Sequence, residues 1–256
     1  MIFDSHAHLD DDYFKDKLDD TIKLIKAAGI DYIVNPGCDI DTSLRAIEIS
    51  SKYGGIYPAV GYHPSEIYKY VPEDMDKLEK MSQTGKVVAI GEIGLDYHYE
   101  GYDKRKQAEV FVNQIYLAEK LSLPIIIHSR DASMDTYEIL KSHKKTDSPC
   151  VLHCFSQSRD MAKKYLDIGC HLSFAGPVTF TNSKNLQETA KYVPLEYMFI
   201  ETDSPYLAPH PHRGEKNTPV NVKLVGQKIA RLKNISDEEV FETTAKNALK
   251  FFNIKL

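Results

Sequence analysis

The sequence has 256 residues, of which 42% are hydrophobic and 27% are charged, and its formal net charge is −5. This composition excludes a disordered or fibrous chain. The acidic balance argues against a broad nucleic-acid-binding face, which needs clustered Lys and Arg, but it allows a nucleic-acid substrate whose phosphates are met by bound metal ions.

Eight short apolar runs alternate with amphipathic stretches along the chain. In order, the predicted strands are Ile2–Asp4, Tyr32–Asn35, Tyr57–Gly61, Val87–Gly91, Ile125–His128, Cys150–His153, His171–Phe174 and Tyr197–Glu201. Strands that alternate with helices predict a parallel sheet, and eight such repeats favour a closed TIM-type (β/α)8 barrel. We therefore expect a single α/β domain over residues 1–256.

The segments between the predicted strands show the spacing of helices that bury one face. The clearest apolar sets are Ile22, Ile25 and Ala28; Val110, Phe111, Ile115, Leu117 and Ala118; and Met161, Tyr165 and Ile168. A long irregular stretch, Tyr206–Pro219, follows the eighth strand, and such a loop in a compact domain is usually functional. The tail Asp237–Phe252 is predicted to be an extra C-terminal helix, with Ser236 as its N-cap.

Residue types that bind metals stand where several predicted strands end. His6 and His8 follow the first strand with one residue between them, so their side chains point to the same side. Four more candidates follow or end later strands: Glu92, His128, His153 and Asp203. The carboxyl ends of the strands form the face that holds the site in barrel enzymes. Because packing does not require imidazoles and carboxylates there, we interpret all six as metal ligands.

The ligand set indicates which metal ions to expect. Four histidines and two carboxylates exceed what one ion normally takes, so we expect one or two divalent cations, with a carboxylate bridging two ions about 3.5–4 Å apart. Imidazole donors favour Zn or Mn over Mg, which prefers oxygen. None of the cysteines is an obvious ligand; they form no CxxC pair and are typical of buried apolar residues: Cys38, Cys150, Cys154 and Cys170.

The start of the chain carries no basic and apolar signal segment. No apolar run approaches the roughly 18 residues that a membrane helix needs. We therefore expect a cytoplasmic protein with no membrane association and no obligate protein partner.

Several motifs together resemble those of the TatD-type metal-dependent deoxyribonucleases, within the amidohydrolase superfamily. They span nearly the whole chain: Ile2–Asp10, Gly61–Pro64, Gly91–Tyr97, Pro124–Ala132, His153–Ser156, Glu201–Leu207, and Arg213 and Gly214 with Asn217 and Pro219. One departure is Gln157, where the family often carries Gly. The resemblance implies a metal-dependent TIM barrel that hydrolyses phosphodiester bonds in DNA, commonly as an exonuclease and with Mg in assays.

The predicted chemistry uses metal ions to lower the pKa of a bound water and to polarise the scissile phosphate. Asp203 is the candidate general base as well as a ligand, although a plain ligand role is the alternative. Glu92 is the candidate bridge between two ions. Glu201 precedes Asp203 by two positions and should point to the same side, which suits a residue that orients a ligand.

Four residues are candidate substrate contacts, each with a structural alternative. His63 is a candidate phosphate contact and a further catalytic candidate, or else a packed histidine. Arg130 could bind a phosphate through paired hydrogen bonds, or else form a salt bridge. Arg213, in the irregular loop, could hold a polyanion, and Tyr97 could stack on a base. The alternative for Arg213 is a place in a solvated surface loop, and the alternative for Tyr97 is packing in the core.

Three functions are compatible with these residues. The first is a nuclease that acts on DNA ends or single strands, favoured by the arginines and the resemblance. The second is an amidohydrolase that cleaves a small amide or ester, favoured by the acidic net charge and by the breadth of chemistry on this fold. The third is a metal-buffering protein, disfavoured because a positioned carboxylate exceeds what simple binding needs.

Overall fold

Eight parallel strands form one sheet in which each strand pairs with the next along the chain. They are β1 Phe3–Asp4, β2 Tyr32–Pro36, β3 Ile56–Val60, β4 Ala89–Asp96, β5 Ile125–Arg130, β6 Cys150–Leu152, β7 Cys170–Phe174 and β8 Met198–Ile200. The structure is a computed structural model that describes residues 1–84, 86–101 and 103–255. Backbone hydrogen bonds join Ser5 to Ile200 and Asp203 to His6, so β8 returns to β1. The predicted TIM-type barrel is confirmed.

Helices follow the strands in alternation, and two more come after β8. Within the described ranges they are α1 Leu18–Ala27, α2 Ile40–Lys52, α3 Asp74–Ser82, α4 Lys104–Leu121, α5 Ser133–His143, α6 Arg159–Asp167, α7 Lys184–Tyr192, α8 Val222–Lys233 and α9 Asp237–Phe251. The predicted extra C-terminal helix is α9, and Ser236 caps it by accepting a hydrogen bond from the Glu239 amide at 3.1 Å. Among the residues that the structure describes, no helix is long and apolar enough to cross a membrane.

Alternate residues of each strand face the two sides of the sheet, as the pleat requires. In β8, Phe199 packs in the barrel interior, whereas Met198 and Ile200 pack against the surrounding helices. Both sides are apolar and buried, which explains why the strands read as short continuous apolar runs.

Helix α9 and the residues after it cover the N-terminal end of the barrel. Phe252 stacks on Phe3 with ring centroids 6.2 Å apart, and Phe251 meets Phe199 edge-on at 5.2 Å. We call these four residues the apolar floor. Because the floor closes one end of the barrel, the polar side chains gather at the other end, which we call the mouth.

The fourth strand is not where the sequence placed it. The predicted strand Val87–Gly91 is observed as Ala89–Asp96, so Glu92 lies inside the strand instead of following it. His128 also lies inside its strand, because β5 continues to Arg130. The other predicted strand bounds agree within two residues. The apolar run ends at Glu92, but the backbone pairing continues beyond it.

A local irregularity explains how a polar residue is accommodated inside β4. The pairing between β4 and β5 shifts register between Ile90 and Ile93, the two residues that flank the Glu92 segment. Gly94 has a φ of 141°, and a Cβ at this position would collide with the carbonyl oxygen of His128. Glycine therefore allows the close approach of the two strands that brings Glu92 and His128 together.

Candidate active site

The six predicted ligands converge at the mouth, and Glu92 lies at their centre. Its Oε1 is 2.7 Å from His153 Nε2 and 2.8 Å from His128 Nδ1. Its Oε2 is 3.1 Å from His6 Nε2 and 3.6 Å from His8 Nε2. Glu92 is only 2% exposed, so its two oxygens face different imidazoles in a buried setting. This arrangement suits the predicted bridging carboxylate.

Overlapping sets of donor atoms lie within 4.8 Å of one another and could hold ions. They are His6, His8 and Asp203; His63, Glu92 and His128; His6, His153 and Glu201; and His8, Cys38 and Glu92. The sets share members, which fits one ion or two neighbouring ions. Nitrogen donors with carboxylates are typical of Zn or Mn sites.

The charges in the cluster suit a bound cation. Burial opposes ionisation of Glu92, but the imidazoles of His153 and His6 outweigh it and hold the pKa of this carboxyl well below its usual value. Burial likewise disfavours a charged His153, but the Glu92 and Glu201 carboxylates raise the pKa of His153 well above its usual value. Protons on imidazoles therefore balance the buried carboxylates. A divalent cation bound by the same atoms would displace those protons, so the donor set fits such an ion.

Two buried carboxylates hold ligand imidazoles from behind. Glu201 Oε1 lies 3.3 Å from His153 Nδ1 and accepts a hydrogen bond from the Cys154 amide at 2.7 Å. Asp96 Oδ2 lies 3.0 Å from His128 Nε2. Such partners fix which ring nitrogen faces a metal. The sequence analysis proposed this role for Glu201 and missed Asp96, whose signal was its even spacing from Glu92 on the same strand.

Asp4 joins the segment after β8 to the segment after β1 at the mouth. Its carboxylate accepts hydrogen bonds from the Thr202 amide at 2.9 Å, from the Thr202 hydroxyl at 2.6 Å and from the His6 amide at 3.3 Å. Burial raises the pKa of Asp4 to about 8. These bonds set the position of His6 relative to Asp203. The sequence analysis did not assign Asp4 a role.

Asp203 sits in a left-handed backbone conformation, with a φ of 56°. Its amide donates to the His6 carbonyl at 2.9 Å, and its Oδ1 lies 3.5 Å from His8 Nε2. Burial raises the pKa of Asp203, but the contact with His8 and the charges of His153 and His6 lower it by more than burial raises it, so the net shift is downward. The side chain is therefore a carboxylate at neutral pH, as either a ligand or a base must be.

Cys38 lies among the candidate ligands, although the sequence marked no cysteine as an obvious one. Its thiol groups with His8 and Glu92 as a possible ligand set, and it lines the same cavity. Cys150 and Cys170 are fully buried, as predicted, and their Sγ atoms lie 2.8 Å apart. Cys38 follows β2, and the sequence analysis did not consider the end of that strand as a source of ligands.

The candidate substrate contacts divide into two groups. His63 and Arg130 line a cavity of about 670 Å³ that opens at the mouth. Tyr97 and Arg213 are not among its lining residues: the Tyr97 hydroxyl donates to Asp135 at 2.9 Å, and the Arg213 guanidinium lies over the Phe180 ring at 4.5 Å. Two other tyrosines line the cavity instead, Tyr99 and Tyr206.

His63 has a defined orientation in this cavity. Its Nδ1 accepts a hydrogen bond from the Ser65 amide at 3.0 Å, which leaves the proton on Nε2, the nitrogen that lies 3.5 Å from Glu92 Oε1. Burial, reinforced by the charge of His128, lowers the pKa of His63 to about 3. His63 is therefore a neutral donor whose N–H points into the mouth.

Known proteins resemble this chain over nearly its whole length. The model of the family described as TatD related DNase matches residues 3–253. The metal-dependent hydrolase YabD of Bacillus subtilis (strain 168) is 43% identical over 254 residues, covering 99% of this chain and 100% of that protein. The metal-dependent hydrolase YcfH of Escherichia coli (strain K12) is 38% identical, covering 99% and 96%.

Solved structures agree with the fold. The TatD homologue YJJV from Escherichia coli K12 superposes with a TM-score of 0.94 at 25% identity, covering 99% of this chain and 98% of that one. A phosphotriesterase homology protein from Escherichia coli, with phosphate in its active site, superposes with a TM-score of 0.67 at 17% identity. The second likeness concerns the barrel fold alone.

Proposed function

Because this chain belongs to the TatD-related DNase family, we propose that it is a divalent-metal-dependent deoxyribonuclease that acts exonucleolytically on DNA ends or single strands. The observation that carries the proposal is Glu92, a buried carboxylate whose two oxygens face imidazoles that lie in or just after three different strands. This geometry supports a centre that activates water for hydrolysis and goes beyond what storage of an ion requires.

The residues that would hold the ions are those predicted from the sequence: His6, His8, Glu92, His128, His153 and Asp203. When bound, divalent ions supply a water of lowered pKa and a polarised phosphate. We expect Zn or Mn from the donor set, whereas the resemblance implies Mg in assays. Asp203 is ionised and lies at the edge of the cluster, so it can accept a proton from water as general base.

Two residues of the cavity can receive the phosphate. The Nε2–H of His63 points into the mouth and can donate to a phosphate oxygen without adding charge. Arg130 opens onto the same cavity and supplies a permanent positive charge. Two nearby carboxylates have other partners, since Asp131 pairs with His98 and Asp135 with Tyr97.

The test uses metal-stripped protein with end-labelled single-stranded and double-stranded DNA, to which Mg, Mn or Zn is added separately. We expect metal-dependent cleavage that shortens the label stepwise from one end. Mononucleotide release by the metal-loaded protein alone would support the exonuclease mode, and single internal cuts would contradict it. The absence of cleavage with every metal would reject the proposal.

One observation favours a second candidate function, hydrolysis of a small amide or ester. The cavity is lined by six carboxylates besides those around the metal cluster, which do not suit a polyanion: Asp10, Asp11, Asp12, Asp39, Asp41 and Glu66. Turnover of cyclic amides or simple esters by protein that leaves DNA intact would establish it. A cytoplasmic location and action without an obligate partner stay predictions.

A further inference from the structure

The mouth has one strongly acidic side and one side with little net charge. On the side of β1 and β2, the six carboxylates just named form what we call the acidic wall. Two cations lie among them: Lys69 contacts Asp39 and Glu66 at 2.7 Å each, and Arg45 lies 3.6 Å from Asp12. Both cations are engaged by carboxylates, so the wall keeps an excess of negative charge. A chain of phosphates cannot run across it without repulsion.

On the opposite side, beyond β5 and β6, a second cavity of about 530 Å³ adjoins the mouth. We call it the serine groove, and its polar lining includes Ser129, Arg130, Ser133, Ser156, Gln157 and Ser158. Arg130 lines both cavities and therefore connects them. The one carboxylate in the groove, Asp131, lies 2.9 Å from His98 Nδ1. The groove thus offers hydroxyl and guanidinium donors with little opposing charge.

Resting on the proposed function, we propose that the serine groove binds the phosphodiester chain of the substrate beyond the scissile bond. The strand then leaves the metal cluster across β5 and β6, and the terminal nucleoside, which carries hydroxyls and no further phosphate, lies against the acidic wall. Carboxylates accept hydrogen bonds from sugar hydroxyls, so each part of the substrate meets the side of the mouth that suits its charge.

The backbone around the groove fits this assignment. Ser133 begins α5, and the residue before it, Ala132, provides no side-chain cap, so the first-turn amides of this helix receive no side-chain acceptor from their N-cap. Amides at a helix start attract anions. They supplement Arg130 and the hydroxyls, which carry the assignment by themselves because Arg130 lines both this groove and the cavity that holds the cluster.

Ser156 allows a test that leaves the metal cluster untouched, because it is exposed and lines the groove. The metal-loaded protein is assayed with a dinucleotide, which has one phosphodiester, and with a longer single-stranded oligonucleotide. In Ser156→Glu we expect the KM for the oligonucleotide to rise about fivefold, from one added charge near a phosphate in water. The KM for the dinucleotide should not change. Ser156→Lys should lower the KM for the oligonucleotide only.

Ser51→Glu is the matched control, because Ser51 is exposed near the end of α2, at the opposite end of the barrel from the mouth. It adds the same charge and should change neither KM. Dissociation constants for the labelled oligonucleotide, measured in parallel, separate the two proposals. DNA binding that weakens in Ser156→Glu without any cleavage would reject the nuclease and retain the groove. If Ser156→Glu left cleavage and binding unaffected, or changed them equally for both substrates, the proposal that the serine groove binds the phosphodiester chain would be overturned.

Discussion

The two ends of this barrel are built from the same eight strands, yet they differ in nearly every physical property. At the N-terminal end the apolar floor is packed from aromatic rings, of which Phe199 is fully buried, and the imidazole of His171 stacks on Phe199. At the mouth the buried residues include imidazoles and carboxylates that shift each other's pKa: the pKa of Glu92 is lowered and that of His153 is raised. The difference teaches that stability and chemistry are placed at opposite ends, so substitutions should separate them.

The largest effect should come from the mouth. In Asp203→Asn we expect a fall in kcat of about 10³-fold, because the amide cannot accept a proton from water, with little change in thermal unfolding. The measurement is steady-state cleavage of DNA by metal-loaded protein, with the metal content checked in each sample. A variant that keeps its metal and near-normal turnover would contradict the role of general base.

The apolar floor should show the converse behaviour. Phe199→Ala removes a fully buried ring that meets Phe251, and we expect it to lower the free energy of unfolding by about 3–5 kcal/mol. Cleavage per folded molecule should stay near the wild-type rate below the unfolding temperature. Leu24→Ala is the control, since Leu24 is 62% exposed. If Phe199→Ala instead changed kcat with stability intact, the separation of the two ends would be wrong.

A substitution at Glu201 tests whether metal binding at the mouth depends on residues that do not reach the substrate. Glu201→Gln keeps the size of this buried side chain but removes the charge behind His153. We expect metal affinity to fall about 10–100-fold. Competition with a chelating dye measures this directly, and excess metal should restore most of the cleavage rate. An unchanged affinity would show that Glu201 serves only to hold the Cys154 amide.

The smallest expected effect concerns pH and lies near the floor. Burial, reinforced by Lys250, lowers the pKa of His171 to about 4 from an ordinary value of 6.5. Between these two values the unfolded chain binds a proton at His171 that the folded chain does not. The stability is therefore undiminished by this group above pH 6.5 and falls as the pH drops towards 4. In His171→Phe this loss should shrink by on the order of 1 kcal/mol. Urea unfolding of both proteins at neutral and acidic pH provides the comparison, and parallel pH profiles would contradict it.

The barrel and the clustering of the candidate ligands were predictable because both rest on short-range patterns. Apolar runs at regular intervals predict strands, and metal-binding residue types at the ends of several of these runs are visible without any structure. Asp96 was missed because β4 continues through Glu92, where the apolar pattern ends although the backbone pairing does not. Cys38 was missed because its approach to His8 depends on how neighbouring strands sit beside each other. Long-range placement of this kind is set by packing and leaves no periodic signal.

The seam where β8 returns to β1 has a consequence for the lifetime of the folded protein. Few backbone hydrogen bonds cross it, but His6 and Asp203 approach each other there from opposite ends of the chain. An ion held by both residues would stabilise the closed barrel at this seam. Ligand binding to the folded state alone adds about 2.7 kcal/mol of stability at a hundredfold excess over Kd. The supply of metal would then govern how often the barrel opens, and with it how long the protein resists proteolysis.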